Sequence, residues 1–494
     1  MADGFWDTAE FRDAFATRHM GQVVRVYRAH AHHRRVYGPR GVPQSVVAEW
    51  MGLTQAQVSR IETGPPIRNL DTLSHWARTL RIPDDLLWFT AGPEAEPRTE
   101  PAPRRAVDPT VAAAQDQWRT TRRYLNTHRA DLAIAAVALY HPAERVEGTP
   151  LLAHPSWMPA APVPLDRITL VWDPDVPPPV LNGASEQARH VLPPYAPGRY
   201  FRQYSSAIRH LDRPRLFENR PSYRLTAVDW EQSTLSFAAT TYFDKMDVSE
   251  GIGHEFALAA QRGGSDPTWA RLPLRSAVDD PYDLTLRAVA PAVTTLLLRR
   301  APDGSATFIL HWRDPRGVAT AGGQYDVIPA GEFQPGSVHM TMPNPDADLD
   351  LWRNIVRELD EELLGAPESD GSGSYGVAPR DWPLLRSLDK ARTRGAARAF
   401  CFGIGCDALT LATTFPTVVV LDSDVFDHLF GDAVEVNDEG SIVARWPPGA
   451  DDASPGIAFT EENVRRLLDH EPMAPPGAAC LALSWRHRDL LLGR

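Results

Sequence analysis

The sequence predicts a multidomain chain: an all-α unit at the N-terminus, an α+β middle region, and a C-terminal region in which strands and helices alternate. Length, periodicity and a proline-rich break lead there. The chain has 494 residues, too many for one hydrophobic core and consistent with about three domains. Helical apolar spacing with short interruptions runs to Gly92, and the stretch GPEAEPRTEPAPRRAVDP (92–109) then forbids a regular element, because proline fixes φ and lacks a backbone donor. The expected divisions are 1–92 for the helical unit, 93–109 for a linker, 110–280 for a helical segment plus the middle region, and 281–494 for the C-terminal domain.

Composition excludes several classes. With 43% hydrophobic and 23% charged residues, wholesale disorder is not expected. No run reaches the roughly 18 apolar residues that span a bilayer, and MADGFWDTAEF lacks the basic-then-apolar order of a signal peptide, so a cytoplasmic protein without a membrane partner is expected. The three cysteines, Cys401, Cys406 and Cys480, are odd in number and lack CxxC spacing. They read as buried thiols, not as a disulfide framework or a structural zinc site. A net charge of -12 argues against a phosphate-rich partner for the chain as a whole. The distribution argues otherwise locally: from Ala14 to Ala48 there is no acidic residue, while Arg18, Arg25, Arg28, Arg34, Arg35 and Arg40 accompany His19, His30, His32 and His33.

The segment QSVVAEWMGLTQAQVSRIETG (44–64) lies at the end of that basic stretch. Pro43 opens a helix whose Val46, Val47, Ala48 and Met51 form a buried face, and Gly52 supplies a tight turn. Thr54 is the natural N-cap of a second helix, with Val58 and Ile61 inward and Gln55, Gln57, Ser59 and Arg60 at its outer side. This is a helix-turn-helix, in which glutamine can pair with adenine and arginine with guanine. Gln44, Ala48, Gly52, Ser59, Ile61, Glu62 and Gly64 together resemble the Cro/C1 (XRE-type) helix-turn-helix family. The likeness covers roughly residues 20–90, with a basic insert, RRVYGPRG (34–41), as its departure. It implies that Gln44 contacts a phosphate, that Gln55, Gln57 and Ser59 face base edges, that Arg60 serves either role, and that Glu62 holds the turn.

From Thr110, VAAAQDQWRTTRRYLNTHRADLAIAAVALY carries helical spacing long enough for one long helix or a helical hairpin that braces the next domain or a dimer. ITLVW (168–172) and TLSFAATTYF (234–243) read as strands. Arg213, Arg215, Arg220 and Arg224 are expected to pair with the acidic excess in preference to binding phosphate. GHEFA (253–257) is not HExxH, because Leu258 stands where the second histidine belongs, so no metalloprotease is implied.

In the C-terminal region, TTLLLRR, APDGS and ATFILHWRD form a strand, turn and strand, followed by GGQYDVIPAGEF and the amphipathic helix DLDLWRNIVRELDEELLG. Trp352, Ile355, Val356, Leu359 and Leu363 make its apolar face. Glu358 and Glu362 share a face with Glu361 beside them, and such carboxylates repel unless a cation neutralises them. Mg²⁺ suits oxygen ligands of this kind. Arg357 to Glu362 resemble the R-E-U-x-E-E core of the Nudix box (U an aliphatic residue), behind a glycine-rich strand-loop. The likeness spans roughly residues 285–485 and implies an α/β/α Nudix-like domain, with Glu358, Glu361 and Glu362 as catalytic and metal-ligating candidates. The segment between Gly331 and Arg357 is longer than in the compact box, Leu349 stands where a glutamate is expected, and the closing glycine falls one place late at Gly365. FTEENVRRLLDHE (459–471) reads as a helix capped by Thr460.

The expected function is that of a DNA-binding transcriptional regulator, a homodimer on double-stranded DNA, whose Nudix-like domain senses a nucleotide-type or other phosphorylated ligand. The alternative is a Mg²⁺-dependent hydrolase of nucleoside diphosphate derivatives that carries a DNA-binding domain. A bare protein scaffold is the third option.

Overall fold

The computed structural model describes residues 5–37, 41–51, 55–64, 66–67, 70–89, 108–214, 217–263, 267–313, 323–336, 348–365, 382–431, 440–443 and 456–494. The chain forms two compact units, Met1–Ala106 and Val107–Arg494. Helices and sheets together make it a mixed α/β protein.

Every α or β element described in the first unit is a helix: α1 (Ala9–Ala16), α2 (Met20–Ala29), α3 (Ala31–Tyr37), α4 (Gln44–Met51), α5 (Gln55–Thr63) and α6 (Leu70–Leu80). Thr8 caps α1 by accepting the Phe11 N–H. Val23, Val24, Val47, Met51, Val58, Trp76 and Leu80 form the core, because the apolar positions of α2, α4, α5 and α6 recur at helical spacing and turn inward. Gly21 lets α2 touch the end of α5: a Cβ there would lie 1.7 Å from the Ile61 carbonyl oxygen.

The second unit begins with α7 (Pro109–Thr127) and α8 (Arg129–Val137), a near-continuous pair broken only at His128. Asp108 caps α7 through the Thr110 and Val111 N–H groups, and Pro109 occupies the first turn, where no donor is needed. Short strands β1 (Leu151–Leu152) and β2 (Val163–Pro164) come next, then β3 (Thr169–Trp172) and the hairpin of β4 (Pro194–Ala196) and β5 (Arg199–Tyr200). They are followed by α9 (Tyr204–Leu211), β6 (Pro221–Asp229), β7 (Thr234–Thr241), α10 (Tyr242–Gly263) and α11 (Pro273–Val278). Strands β3, β7 and β6 make a three-stranded sheet. Helices α7 to α11 close on a core of their own around Trp118, Leu125, Tyr204, Ile252 and Phe256.

The C-terminal part supplies β8 (Ala292–Arg300), β9 (Ala306–Phe308), β10 (Leu310–Arg313), β11 (Tyr325–Val327), β12 (Ala330–Glu332), α12 (Leu351–Leu363) and α13 (Pro383–Thr393). It continues with β13 (Ala397–Cys401), β14 (Gly405–Asp407), β15 (Thr413–Asp422), α14 (Ser423–Phe430), β16 (Gly440–Val443) and β17 (Ile457–Ala458). Helices α15 (Glu461–His470), α16 (Pro475–Arg486) and α17 (Arg488–Leu492) end the chain. At the centre of a nine-stranded sheet, β8 and β15 pair in parallel from Ala292↔Thr414 to Arg300↔Asp422. β9 and β12 share the other edge of β8.

Alternation along the strands sends side chains to two faces. Val293, Leu297, Phe415 and Val419 meet α12, α13 and α14, whereas Leu296, Leu298, Val418 and Val420 meet α15, α16 and α17. Helices therefore cover both faces of the sheet. β1 and β2 pair with β14 and β13 of the same sheet, so the division expected at 280/281 does not separate compact units. Strand pairing across long stretches of chain joins the two sides of that boundary. Among the described residues no helix is long and apolar enough to cross a membrane.

Candidate functional site

The candidate residues named from the sequence fall into two groups. The first is the α4–α5 pair. Glu62 on α5 is 3% exposed, and its carboxylate accepts two bonds from Arg28 Nη1 on α2, at 2.6 and 2.7 Å, and one from Gln44 Nε2 on α4, at 3.0 Å. Arg28 Nε also donates to the Val42 carbonyl at 2.8 Å, just before α4. A buried carboxylate bound to helices on both sides holds α5 in place. Val58 faces the core and Ile61 packs against it, whereas Arg60 is exposed and Ser59 and Gln57 are half-buried. Gln44, expected at a phosphate, here donates to Glu62. Thr54 and the side chain of Gln55 lie outside the described residues.

Beside this pair, His30, His32 and His33 cluster against Phe5 and Tyr27. Burial lowers the pKa values of His30 and His33, with His32 adding repulsion. Both rings are therefore biased toward the neutral state, which weakens the positive field that the sequence alone suggested.

The second group surrounds β12 and α12. Asp350 caps α12 by accepting the Arg353 N–H at 3.0 Å, and Gly365, at φ 65°, ends it in the left-handed conformation that glycine favours. α12 runs to Leu363, Leu364 is its C-cap, and Gly365 follows. Ala330 N–H donates to Glu362 at 2.9 Å. Gly331 lies against Glu358 so closely that a Cβ would stand 2.1 Å from its carboxyl group. Two of the three glutamates thus converge on one three-residue strand. Glu361 sits half-buried on the same turn.

Arg357 fastens this arrangement from the helix side. It donates to the Asn354 side chain at 2.6 Å and to the Gln334 carbonyl at 3.1 Å, and it stands 3.3 Å from Glu358 Oε1. Lys245 on α10 reaches Glu332 at 2.5 Å, and His311 Nδ1 on β10 lies 4.0 Å from Glu362 Oε2. The sequence reading missed Lys245, His311 and Asn354. Lys245 and Glu332 are 87 positions apart, so no local spacing joins them.

Among the described residues no group of three or more His, Cys, Asp or Glu side chains is placed to hold a metal ion. Glu358 stands against Arg357, and Glu362 accepts the Ala330 N–H.

The remaining candidates have structural partners. Glu255 accepts the Leu274 and Arg275 N–H groups at the start of α11, and His254 Nδ1 lies 3.0 Å from the Tyr204 hydroxyl. Arg224, expected to pair with a carboxylate, is buried and donates to the Val176 and Pro177 carbonyls. Arg220 stands 3.5 Å from Glu218, and Arg215 lies outside the described residues. All three cysteines are free and buried. No family model and no curated protein matches the chain.

Proposed function

We propose that this chain is a sequence-specific, DNA-binding transcriptional regulator that binds duplex DNA as a homodimer, and that its C-terminal Nudix-like domain senses a nucleotide-type or other phosphorylated ligand. The observation that carries the first half is the Arg28–Glu62–Gln44 network. It fixes α5 from the inside while Ser59 and Arg60 remain on the outer side, the combination that readout in the major groove requires. The stretch without acidic residues from Ala14 to Ala48 adds support, since phosphate contacts position a protein on DNA.

The ligand half is supported by the convergence of Glu358 and Glu362 on β12, with Arg357 beside Glu358 and Lys245 paired to Glu332 at the end of the same strand. Cations in that setting suit a phosphorylated group. The carboxylates are already engaged by protein partners, which favours sensing over turnover.

Gel retardation of the chain's own upstream DNA tests the proposal. A retarded complex at low salt that weakens steeply as salt rises is expected, with sequence preference lost when Gln55 and Ser59 are both replaced by alanine. No complex at low salt sinks the DNA half. For the ligand half, a panel of nucleoside diphosphate derivatives is expected to bind without being consumed. Mg²⁺-dependent turnover that disappears in Glu361→Gln with Glu362→Gln replaces the sensor with the hydrolase.

A further inference from the structure

Away from both groups, the second unit contains a cleft of about 520 Å³, within the range of small-molecule sites. It lies where the helical core meets the core beneath the sheet, and Tyr282 packs against both. Four aromatic side chains line it: Tyr140, Trp157, Trp269 and Tyr282. Tyr140 and Trp269 meet edge to face at 5.5 Å and 79°, and Trp157 and Tyr282 do the same at 5.1 Å and 78°. Each pair sets two rings nearly at right angles.

The charges of the lining have one sign. Glu144, Asp279 and Asp280 contribute carboxylates, and among the described residues no lysine or arginine lines the cleft. Arg275 stands behind the wall, where it donates to the Tyr140 hydroxyl and to the Ala408 and Leu409 carbonyls. Two histidines complete the rim by a repeated device. His141 and His154 each precede a proline and accept, on Nδ1, the N–H two residues ahead, at 3.2 Å in both cases.

We propose that this cleft binds a small organic ammonium ion. Aromatic faces attract a cation through their quadrupole, and carboxylates at the rim neutralise its charge. An anionic ligand would meet the three acidic side chains, which no cation among the described lining residues offsets, and a neutral ligand would gain no charge attraction from them.

Isothermal titration of the full chain with choline, with spermidine and with 3,3-dimethylbutan-1-ol, the neutral isostere of choline, tests this. Choline or spermidine is expected to bind saturably at one site per chain. The expected preference for choline over the neutral alcohol is about tenfold or more, and Glu144→Gln combined with Asp280→Asn is expected to weaken cation binding about tenfold. The proposal is overturned if neither cation saturates by about 10 mM, if the alcohol binds as well as choline, or if the folded double variant keeps its affinity. The comparison of choline with its isostere uses the unaltered chain and decides the matter even if the variant fails to fold. Neither result bears on the DNA or nucleotide reading, which involves other residues.

Discussion

His254, buried on α10 beside the Tyr204 hydroxyl, has its pKa pushed down to about 3 by burial, with Arg122 and His190 adding repulsion. The unfolded chain takes up this proton near the ordinary histidine value, whereas the folded chain resists it. The associated stability is therefore present above that value and is lost as pH falls toward 3, at about 1.4 kcal/mol per pH unit. Asp247 on the same helix has the opposite effect. Burial raises it to about 6, with Asp244 adding to the rise and the Ser205 N–H opposing it. Its contribution is full below the ordinary carboxylate range and lost as pH rises through 6. In urea unfolding at pH 7.0, 5.5 and 4.5, His254→Gln is expected to close part of its stability gap to the unaltered chain as pH falls, by about 2 kcal/mol across the series. A gap independent of pH contradicts the burial. The thiols lend themselves to a simpler check. Burial pushes Cys401 and Cys406 up to about 12 and raises Cys480 well above its ordinary value. Iodoacetamide at pH 8 is expected to leave the native chain unlabelled and to label all three cysteines after denaturation, as counted by mass spectrometry.

Among the helices and strands, α5 depends on one buried carboxylate. Glu62→Ala leaves Arg28 without its partner and is expected to destabilise the first unit by about 3 kcal/mol, read by chemical unfolding of the full chain. A change near zero means that α5 is held by packing alone. In the second unit, Gly331→Ala is expected to push β12 away from α12 at a cost of about 1–3 kcal/mol, because the new methyl group meets the Glu358 carboxyl. These contacts also show what the sequence could reveal. Helix α12 was legible because Trp352, Ile355, Val356, Leu359 and Leu363 repeat at helical spacing, and all five are buried. The turn between β8 and β9 was legible from APDGS, where Asp303 accepts the Ser305 N–H and Gly304 takes φ 83°. Pairing across long stretches of chain left no such pattern. Neither the addition of β1 and β2 to the C-terminal sheet nor the reach of Lys245 to Glu332 has a local signature. The acidic trio was visible as a cluster, but the partners that engage Glu358 and Glu362 come from β12 and from the rotamer of Arg357, which spacing does not encode.

For the whole molecule, a net charge of -12 coexists with an N-terminal stretch free of acidic residues, so the proposed attraction to DNA has to be local and strongly screened by salt. A ligand bound to the C-terminal domain acts as a regulator only if it changes DNA affinity, and by linkage DNA must then change the ligand's affinity by the same factor. If the chain binds a nucleotide, titrating it with and without duplex is expected to show that reciprocal shift, and equal affinities contradict regulation through that ligand. Selection of duplexes from a random pool by the full chain tests the central claim most directly. The expected result is enrichment of a palindromic motif with half-sites about one helical turn apart, and its loss when Gln55 and Ser59 are both alanine. Recovery of a pool no different from the input, at low salt and with the folded chain, contradicts it.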